Sequence, residues 1–90
     1  MPLQFTLNQN YPNPFNGGTI IRYSIERQTN VTLKVFDLLG REVETLVDHI
    51  QSPGSYEVNF PRTKPLASGV YFYRLTSGGN TLVRKMVYIR

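Results

Sequence analysis

The fold is decided by the stretch Leu66-Ala67-Ser68-Gly69-Val70-Tyr71-Phe72-Tyr73-Arg74-Leu75, which a short turn joins to Thr81-Leu82-Val83-Arg84-Lys85-Met86-Val87-Tyr88-Ile89-Arg90. Both runs are rich in β-branched and aromatic residues, and the turn Ser77-Gly78-Gly79-Asn80 has the composition of a hairpin loop. They predict a terminal β-hairpin whose last strand is basic and aromatic. Chain ends are usually poorly ordered, whereas this end is predicted to be an ordered strand. We therefore expect a function that depends on this C-terminal hairpin.

Within the first of these strands, Tyr71, Tyr73 and Leu75 share one face, and the opposite face carries Arg74. We expect the first set to face the core, because that register leaves Arg74 in solvent. The approach to the strand, residues 66–71, resembles the tyrosine corner of immunoglobulin-like sandwiches. In that motif a tyrosine hydroxyl bonds the backbone a few residues upstream.

The rest of the chain shows short β-rich runs broken by turn residues at intervals of about 8–12 positions, as in sandwiches and barrels. The predicted strands are residues 3–7, 19–25, 30–38, 42–47, 55–60, 69–76 and 81–89. Residues 61–68 hold two prolines and are predicted to cross between sheets. The pattern predicts an all-β, immunoglobulin-like antiparallel β-sandwich of about seven strands. One domain spans 1–90, with an N-terminal Pro/Asn segment and edge strand (3–18) before the sandwich (19–90).

Composition excludes several classes of protein. The 90 residues suffice for one small core, and the absence of cysteine excludes disulfides and cysteine-based metal sites. No run of about 18 apolar residues exists to span a membrane as a helix. The net charge is +4, but the cations are scattered and only Arg84, Lys85 and Arg90 cluster. Since phosphate recognition needs a concentrated basic face, nucleic acid is not an expected partner.

Catalytic and metal-binding chemistry finds little support in the residues. His49 is the single histidine and is predicted to be a solvated loop residue. Glu42 and Glu44 lie two apart on a predicted edge strand and are therefore expected to share a face, which is typical of a solvated charge stripe. Ser68 lacks the Gly-x-Ser-x-Gly pattern of a nucleophile elbow. We therefore expect no enzyme, no cofactor and no metal site.

Aromatic residues leave one alternative open. Tyr71, Phe72, Tyr73 and Tyr88 lie on adjacent predicted strands and could form a stacking platform for sugars. The alternative function is therefore a carbohydrate-binding or adhesive accessory module of an extracellular enzyme.

Five segments, taken in order, carry a resemblance to one family. They are Asn10-Tyr11-Pro12-Asn13-Pro14-Phe15-Asn16, Thr19-Ile20-Ile21-Arg22-Tyr23, Val35-Phe36-Asp37-Leu38-Leu39-Gly40-Arg41-Glu42-Val43, the penultimate strand quoted above and Arg84-Lys85-Met86-Val87-Tyr88-Ile89-Arg90. Together they resemble the type A C-terminal sorting domain of the type IX (Por) secretion system. They are also similar to the immunoglobulin-like domain of flagellar hook-capping proteins. The sequence departs from the family at Gly17-Gly18, where Pro followed by Ser or Thr is commoner, and at Arg84-Lys85, where two lysines are commoner.

The resemblance implies a non-catalytic signal at the end of a larger exported protein, with the cargo fused on its N-terminal side and Met1 an added start. The parent would reach the cell surface, or be secreted, through the periplasm. An outer-membrane translocon would recognise the folded domain without membrane insertion, and a sortase-like peptidase would remove it. Recognition is expected to use the last hairpin, and self-association through an edge strand is left open. The candidate recognition residues are Gly69, Tyr71, Lys85, Met86, Val87, Ile89 and Arg90.

Overall fold

The computed structural model describes residues 4–61 and 66–90, which form seven strands. These are β1 Thr6–Leu7, β2 Thr19–Ile25, β3 Thr29–Asp37, β4 Glu42–Gln51, β5 Gly54–Phe60, β6 Gly69–Ser77 and β7 Asn80–Tyr88. They make two antiparallel sheets, with strand orders β1-β2-β5 and β4-β3-β6-β7. The predicted all-β, immunoglobulin-like sandwich is confirmed. None of the described residues belongs to a helix long and apolar enough to cross a membrane.

The core lies between the two sheets and is built by alternation along the strands. On β2, for example, Ile21, Tyr23 and Ile25 are buried while Arg22 is exposed, as expected for strands with one face in the core. The buried apolar residues are Leu7, Phe15, Ile21, Tyr23, Ile25, Val31, Leu33, Val35, Leu46, Val47, Phe60, Leu66, Tyr71, Tyr73, Leu75 and Met86. The terminal hairpin supplies four of them, so it is an integral part of the sandwich.

Strand β4 departs from the simple alternation predicted for it. Its register with β3 shifts between Leu33 and Lys34, so that Leu46 is an extra residue and is buried beside Val47. A second shift places Glu42 opposite Phe36 and Glu44 opposite Val35, which lie on different faces of β3. The expectation that the two glutamates share a face is therefore wrong, because β-bulges break the two-residue period.

The strand is also longer than predicted, and His49 lies within it. The expectation of a loop histidine is wrong, although the side chain is exposed as expected. Its neighbour along the strand, Gln51, approaches the ring at 3.3 Å.

The connection from β5 to β6 passes from one sheet to the other, as predicted for residues 61–68. Residues 62–65 of that connection lie outside the described residues, as does residue 3 of the predicted first strand. Of the other residues predicted for that strand, Thr6 and Leu7 form β1, at the edge of the three-stranded sheet beside β2, whereas Gln4 and Phe5 are not part of a strand. The chain thus begins and ends its sandwich at neighbouring edges.

Candidate functional site: the terminal hairpin

The entrance to the terminal hairpin is fixed by a tyrosine corner. The Tyr71 hydroxyl donates a 2.6 Å hydrogen bond to the carbonyl oxygen of Ala67, four residues upstream. Between them Gly69 has a φ of +154°, a conformation that residues with a side chain rarely adopt. The predicted corner is confirmed, and it determines where β6 begins.

Tyr73 connects the hairpin to the N-terminal segment, by which we mean residues 8–16. Its exposed fraction is 0%, and its hydroxyl lies between two main-chain groups. The hydroxyl donates to the carbonyl oxygen of Asn8 at 2.8 Å and accepts from the N–H of Asn10 at 2.8 Å. Burial raises the pKa of Tyr73, so the proton that this bond needs is retained at neutral pH.

Asn10 continues this connection inside the protein. Its side-chain amide donates to the carbonyl oxygen of Pro12 at 3.1 Å and to the Thr19 hydroxyl at 3.0 Å. That hydroxyl donates in turn to Pro12 at 2.8 Å. The segment was expected to be irregular, but its buried polar network was not foreseen. A buried asparagine among prolines looks the same in sequence as a solvated turn asparagine.

Phe15 anchors the same segment against the end of the last strand. Its ring is buried, with its centroid 5.0 Å from that of Tyr88 and 6.2 Å from that of Phe60 in an edge-on arrangement. In the sequence, the indication of this anchor is a single phenylalanine among residues typical of turns. An apolar side chain of that size is most stable when buried.

The main chain of the segment also covers part of the outer edge of β7. The N–H of Phe15 donates to the carbonyl oxygen of Val87 at 3.0 Å, and its carbonyl accepts from Ile89 at 2.8 Å. The Asn13 side chain accepts from the N–H of Val87 at 2.9 Å. Self-association through an edge strand was left open, but at residues 87–89 the outer edge of the hairpin is already occupied.

The beginning of β7 is more open. Thr81 and Val83 point their main-chain groups to the same side as Val87, and no described residue pairs with them there. A groove separates them from residues 6–8. Arg84 closes the inner side of this groove, because its guanidinium Nε donates to the carbonyl oxygen of Leu7. Arg84 therefore links the two sheets.

The candidate recognition residues fall into two groups. Met86 is fully buried, with an exposed fraction of 0%, and Tyr71 is largely buried. Gly69 and Val87 are partly buried. The exposed members are Lys85, Ile89 and Arg90. Lys85 lies in the second half of β7, and Ile89 and Arg90 directly follow that strand.

A sugar-binding platform is not formed. Tyr71 and Tyr73 are buried in the core, and Tyr88 packs on Phe15. The four aromatic residues therefore do not share an exposed surface, and the stacking platform left open as an alternative is absent. Phe72 lies on the outer side of β6, opposite Lys85, and is partly exposed. Among the described residues, no group of three or more His, Cys, Asp or Glu side chains could hold a metal ion.

A rigid turn lies beside the hairpin, between β3 and β4. The Asp37 carboxylate accepts the N–H groups of Leu39 and Arg41, each at 2.9 Å, and the Arg41 guanidinium at 2.8 Å. The bond from the Arg41 N–H is the main cause that holds the pKa of Asp37 below its usual value. Leu38 and Leu39 at the tip are 66% and 80% exposed. We call residues 37–41 the leucine turn.

The chain matches a known protein family and is similar in fold to a solved structure. The family described as "Secretion system C-terminal sorting domain" matches residues 9–90. Among solved structures, dimeric latent PorU from Porphyromonas gingivalis is similar in fold, with a TM-score of 0.70 and 21% identity. That match covers 90% of this chain but 9% of PorU. No curated protein matches. Because the family match spans nearly the whole chain, this protein belongs to the C-terminal sorting domains of type IX secretion, the signals by which a parent protein is exported to the cell surface or beyond.

Proposed function

We propose that the secretion machinery reads this domain through Lys85, Ile89 and Arg90, and that the domain has no catalytic activity of its own. Its partner is the outer-membrane translocon, and its cargo is fused on the N-terminal side. A sortase-like peptidase then separates the domain from that cargo. The observation that carries the proposal is the ordered end of the hairpin, where two cations and an apolar side chain are exposed within the six residues 85–90.

Hydrogen bonds hold the main chain in place at Lys85, Ile89 and Arg90. The carbonyl of Lys85 accepts from the Gln9 side chain at 2.7 Å, and the N–H of Arg90 donates to the Ser68 hydroxyl at 3.0 Å. The N–H of Ile89 is held by Phe15. Rigid presentation favours recognition, because fewer backbone conformations are lost when the partner binds.

The remaining candidate residues act by holding this end in place. Tyr71 and Gly69 form the corner from which β6 starts, and Met86 fills the core directly across from Tyr71. Val87 receives the bond from Phe15 through its carbonyl. We assign these four residues a positioning role in recognition.

The proposal is tested with a reporter that carries a signal peptide and a fluorescent protein ahead of this domain, expressed in a bacterium with type IX secretion. We expect the wild-type reporter at the surface or in the medium. Changing Ile89→Ser together with Arg90→Glu should leave it in the periplasm. These substitutions are preferable to deleting residues 86–90, because deletion also removes the buried Met86.

A matched control is Ile50→Ser together with Arg27→Glu, which makes the same chemical changes at exposed positions. Arg27 lies beside Gly78 in the hairpin turn, at the opposite end of the hairpin from Ile89 and Arg90. This control should be exported like wild type. Thermal unfolding of both purified variants verifies that they fold. Normal export of a folded Ile89→Ser, Arg90→Glu domain would refute recognition through these side chains.

A further inference from the structure

We propose that the outer side of the terminal hairpin docks an acidic protein surface. Besides the polar pair of Thr76 with Thr81 next to the turn, this side carries three cross-strand pairs: Val70 with Val87, Phe72 with Lys85 and Arg74 with Val83. We call these six residues the β6–β7 face. The inference rests on the sorting function proposed above, and it adds a broad second surface to the side chains at the end of β7.

The β6–β7 face is unusually apolar for the solvent side of an antiparallel sheet. Four of its six residues are hydrophobic, and Val83 is 57% exposed. Phe72, Val70 and Val87 are each partly exposed. The outward side of such a sheet is normally polar, and a contiguous apolar patch edged by polar groups is typical of a protein interface.

Its cations lack acidic partners across the strands. Arg74 lies opposite Val83 on one side and opposite Lys34 on the other. Lys34 is paired with Glu42 at 3.4 Å, and the Arg74 guanidinium lies 4.6 Å from the centre of the Phe36 ring. Like charges directly opposite each other destabilise a sheet. Glu42 offsets part of that repulsion, since its charge also interacts with Arg74, and a carboxylate brought by a partner would offset more of it.

The acids on this side of the sheet lie at its far edge. The register places Glu42 and Asp48 outward on β4, two strands away from β6. The half of the sheet made by β6 and β7 therefore presents Arg74 and Lys85 with no acid among its outward residues. Electrostatic complementarity favours a partner that carries carboxylates around an apolar projection.

The leucine turn extends this face at one end. Leu38, Leu39 and Val70 line the same shallow depression. The bonds to Asp37 keep the two leucines in solvent at a turn tip, where polar residues are usual. The depression, which the paired Asp37 and Arg41 also line, provides a place for an apolar side chain of the partner at the Val70 end of the face.

A protein surface fits this face better than a membrane. Its phenylalanine and valines are partly buried between neighbouring side chains, whereas membrane-binding elements place bulky apolar groups well outside the protein surface. A flat sheet face of alternating apolar and cationic residues is suited to another folded surface of complementary charge.

The test is export of the same reporter with Phe72→Thr and Arg74→Glu combined. Ile20→Thr with Arg22→Glu is the matched control, because Ile20 and Arg22 occupy the same spacing on the outer side of β2. We expect the first variant to lower export by about tenfold or more, as loss of a central interface residue does. The control should be exported normally. Arg74→Lys, which keeps the charge, should retain most of the export.

The outcomes separate this inference from the function on which it rests. Failure of the wild-type domain to export the reporter would refute the proposed function. Wild-type export together with normal export of a folded Phe72→Thr, Arg74→Glu domain would overturn the docking face alone. In a second measurement, the purified domain is sedimented with vesicles of phosphatidylcholine and phosphatidylglycerol in equal parts. Sedimentation that depends on Arg74 would overturn a protein partner in favour of a lipid one.

Discussion

On the outer side of the three-stranded sheet, Arg22 lies across from Glu57 and pairs with it at 3.0 Å, whereas on the other sheet Arg74 lies across from Val83. The neighbouring pairs differ in the same way. The first sheet sets Ser24 against Ser55, and the terminal hairpin sets Phe72 against Lys85. One outer side satisfies its own polar groups. The β6–β7 half of the other outer side exposes apolar side chains, and its cations have no carboxylate directly across the strands.

The inner sides of the two sheets also differ in the hydrogen-bond partners of their central tyrosines. The Tyr23 hydroxyl donates to the side chain of Gln51 at 2.7 Å. The Tyr73 hydroxyl instead bonds two main-chain groups of the N-terminal segment. A side chain can turn to water when its partner is removed, but a buried main-chain group cannot. Structural dependence is therefore concentrated beneath the face that we propose for docking.

The largest expected effect is that of removing the Tyr73 hydroxyl. Tyr73→Phe leaves the buried N–H of Asn10 without its acceptor, which costs about 2–3 kcal/mol of unfolding free energy. Tyr23→Phe should cost about 1 kcal/mol, because Gln51 is partly exposed and can bond water. Urea unfolding of the two variants measures the difference. Equal losses would show that the two tyrosines are equivalent.

The next effect is that of adding a side chain at the entrance to the hairpin. A Cβ at Gly69 meets no atom within 4 Å, but φ there is +154°. Gly69→Val should therefore lower the unfolding free energy by about 1–3 kcal/mol through backbone strain alone.

Gly17→Val is the control for this effect, since the same open space surrounds Gly17 without a positive φ. We expect it to be close to wild type in thermal unfolding. A loss as large as that of Gly69→Val would indicate that strain is not the cause.

A smaller effect is expected in acid, at the turn beside the docking face. The pKa of Asp37 is lowered in the folded protein, chiefly by the bond from the Arg41 N–H. The stabilisation is therefore fully present above the unfolded value, near pH 4, and is lost as the pH falls through the lower, folded value. Asp37→Asn should show a shallower fall of the melting temperature below about pH 4.

Leu39→Ser changes the same turn without removing a charge and should keep the wild-type slope, because the side chain is 80% exposed. A slope unchanged by Asp37→Asn would argue that the carboxylate is not linked to folding.

The smallest effect is expected on the self-satisfied outer side. Arg22→Gln removes an exposed ion pair with Glu57, which contributes about 0–1 kcal/mol. The free energy of unfolding in urea should hardly differ from that of wild type. Added salt screens exposed charges and should reduce the difference further. A loss above that range would mean that this side of the sandwich depends on its ion pair more than its exposure suggests.

The sequence predicted the strands because their patterns are local. Alternation along β2 and β6 gave the buried faces correctly, and the spacing from Leu66 to Tyr71 gave the tyrosine corner. The bulge at Leu46 could not be predicted, because an inserted residue is defined by the partner strand and leaves no mark in the sequence of its own strand.

Contacts between the two ends of the chain were the least predictable part of the candidate site. The bonds from Asn10 to Tyr73 and from Phe15 to Val87 join residues more than sixty positions apart. No short pattern in either segment encodes such a pairing. For that reason the sequence suggested an open last edge, whereas the structure covers its second half with the N-terminal segment.

That covering makes the ordered form of the N-terminal segment depend on the second half of β7. Phe15 has no strand to bond and Asn13 no N–H to accept unless Val87 and Ile89 are in place. Contacts between residues so distant in sequence are intrinsically slow to form during folding. The covered edge of β7 is therefore a late contact, and its presence distinguishes the completely folded domain from a partly folded one.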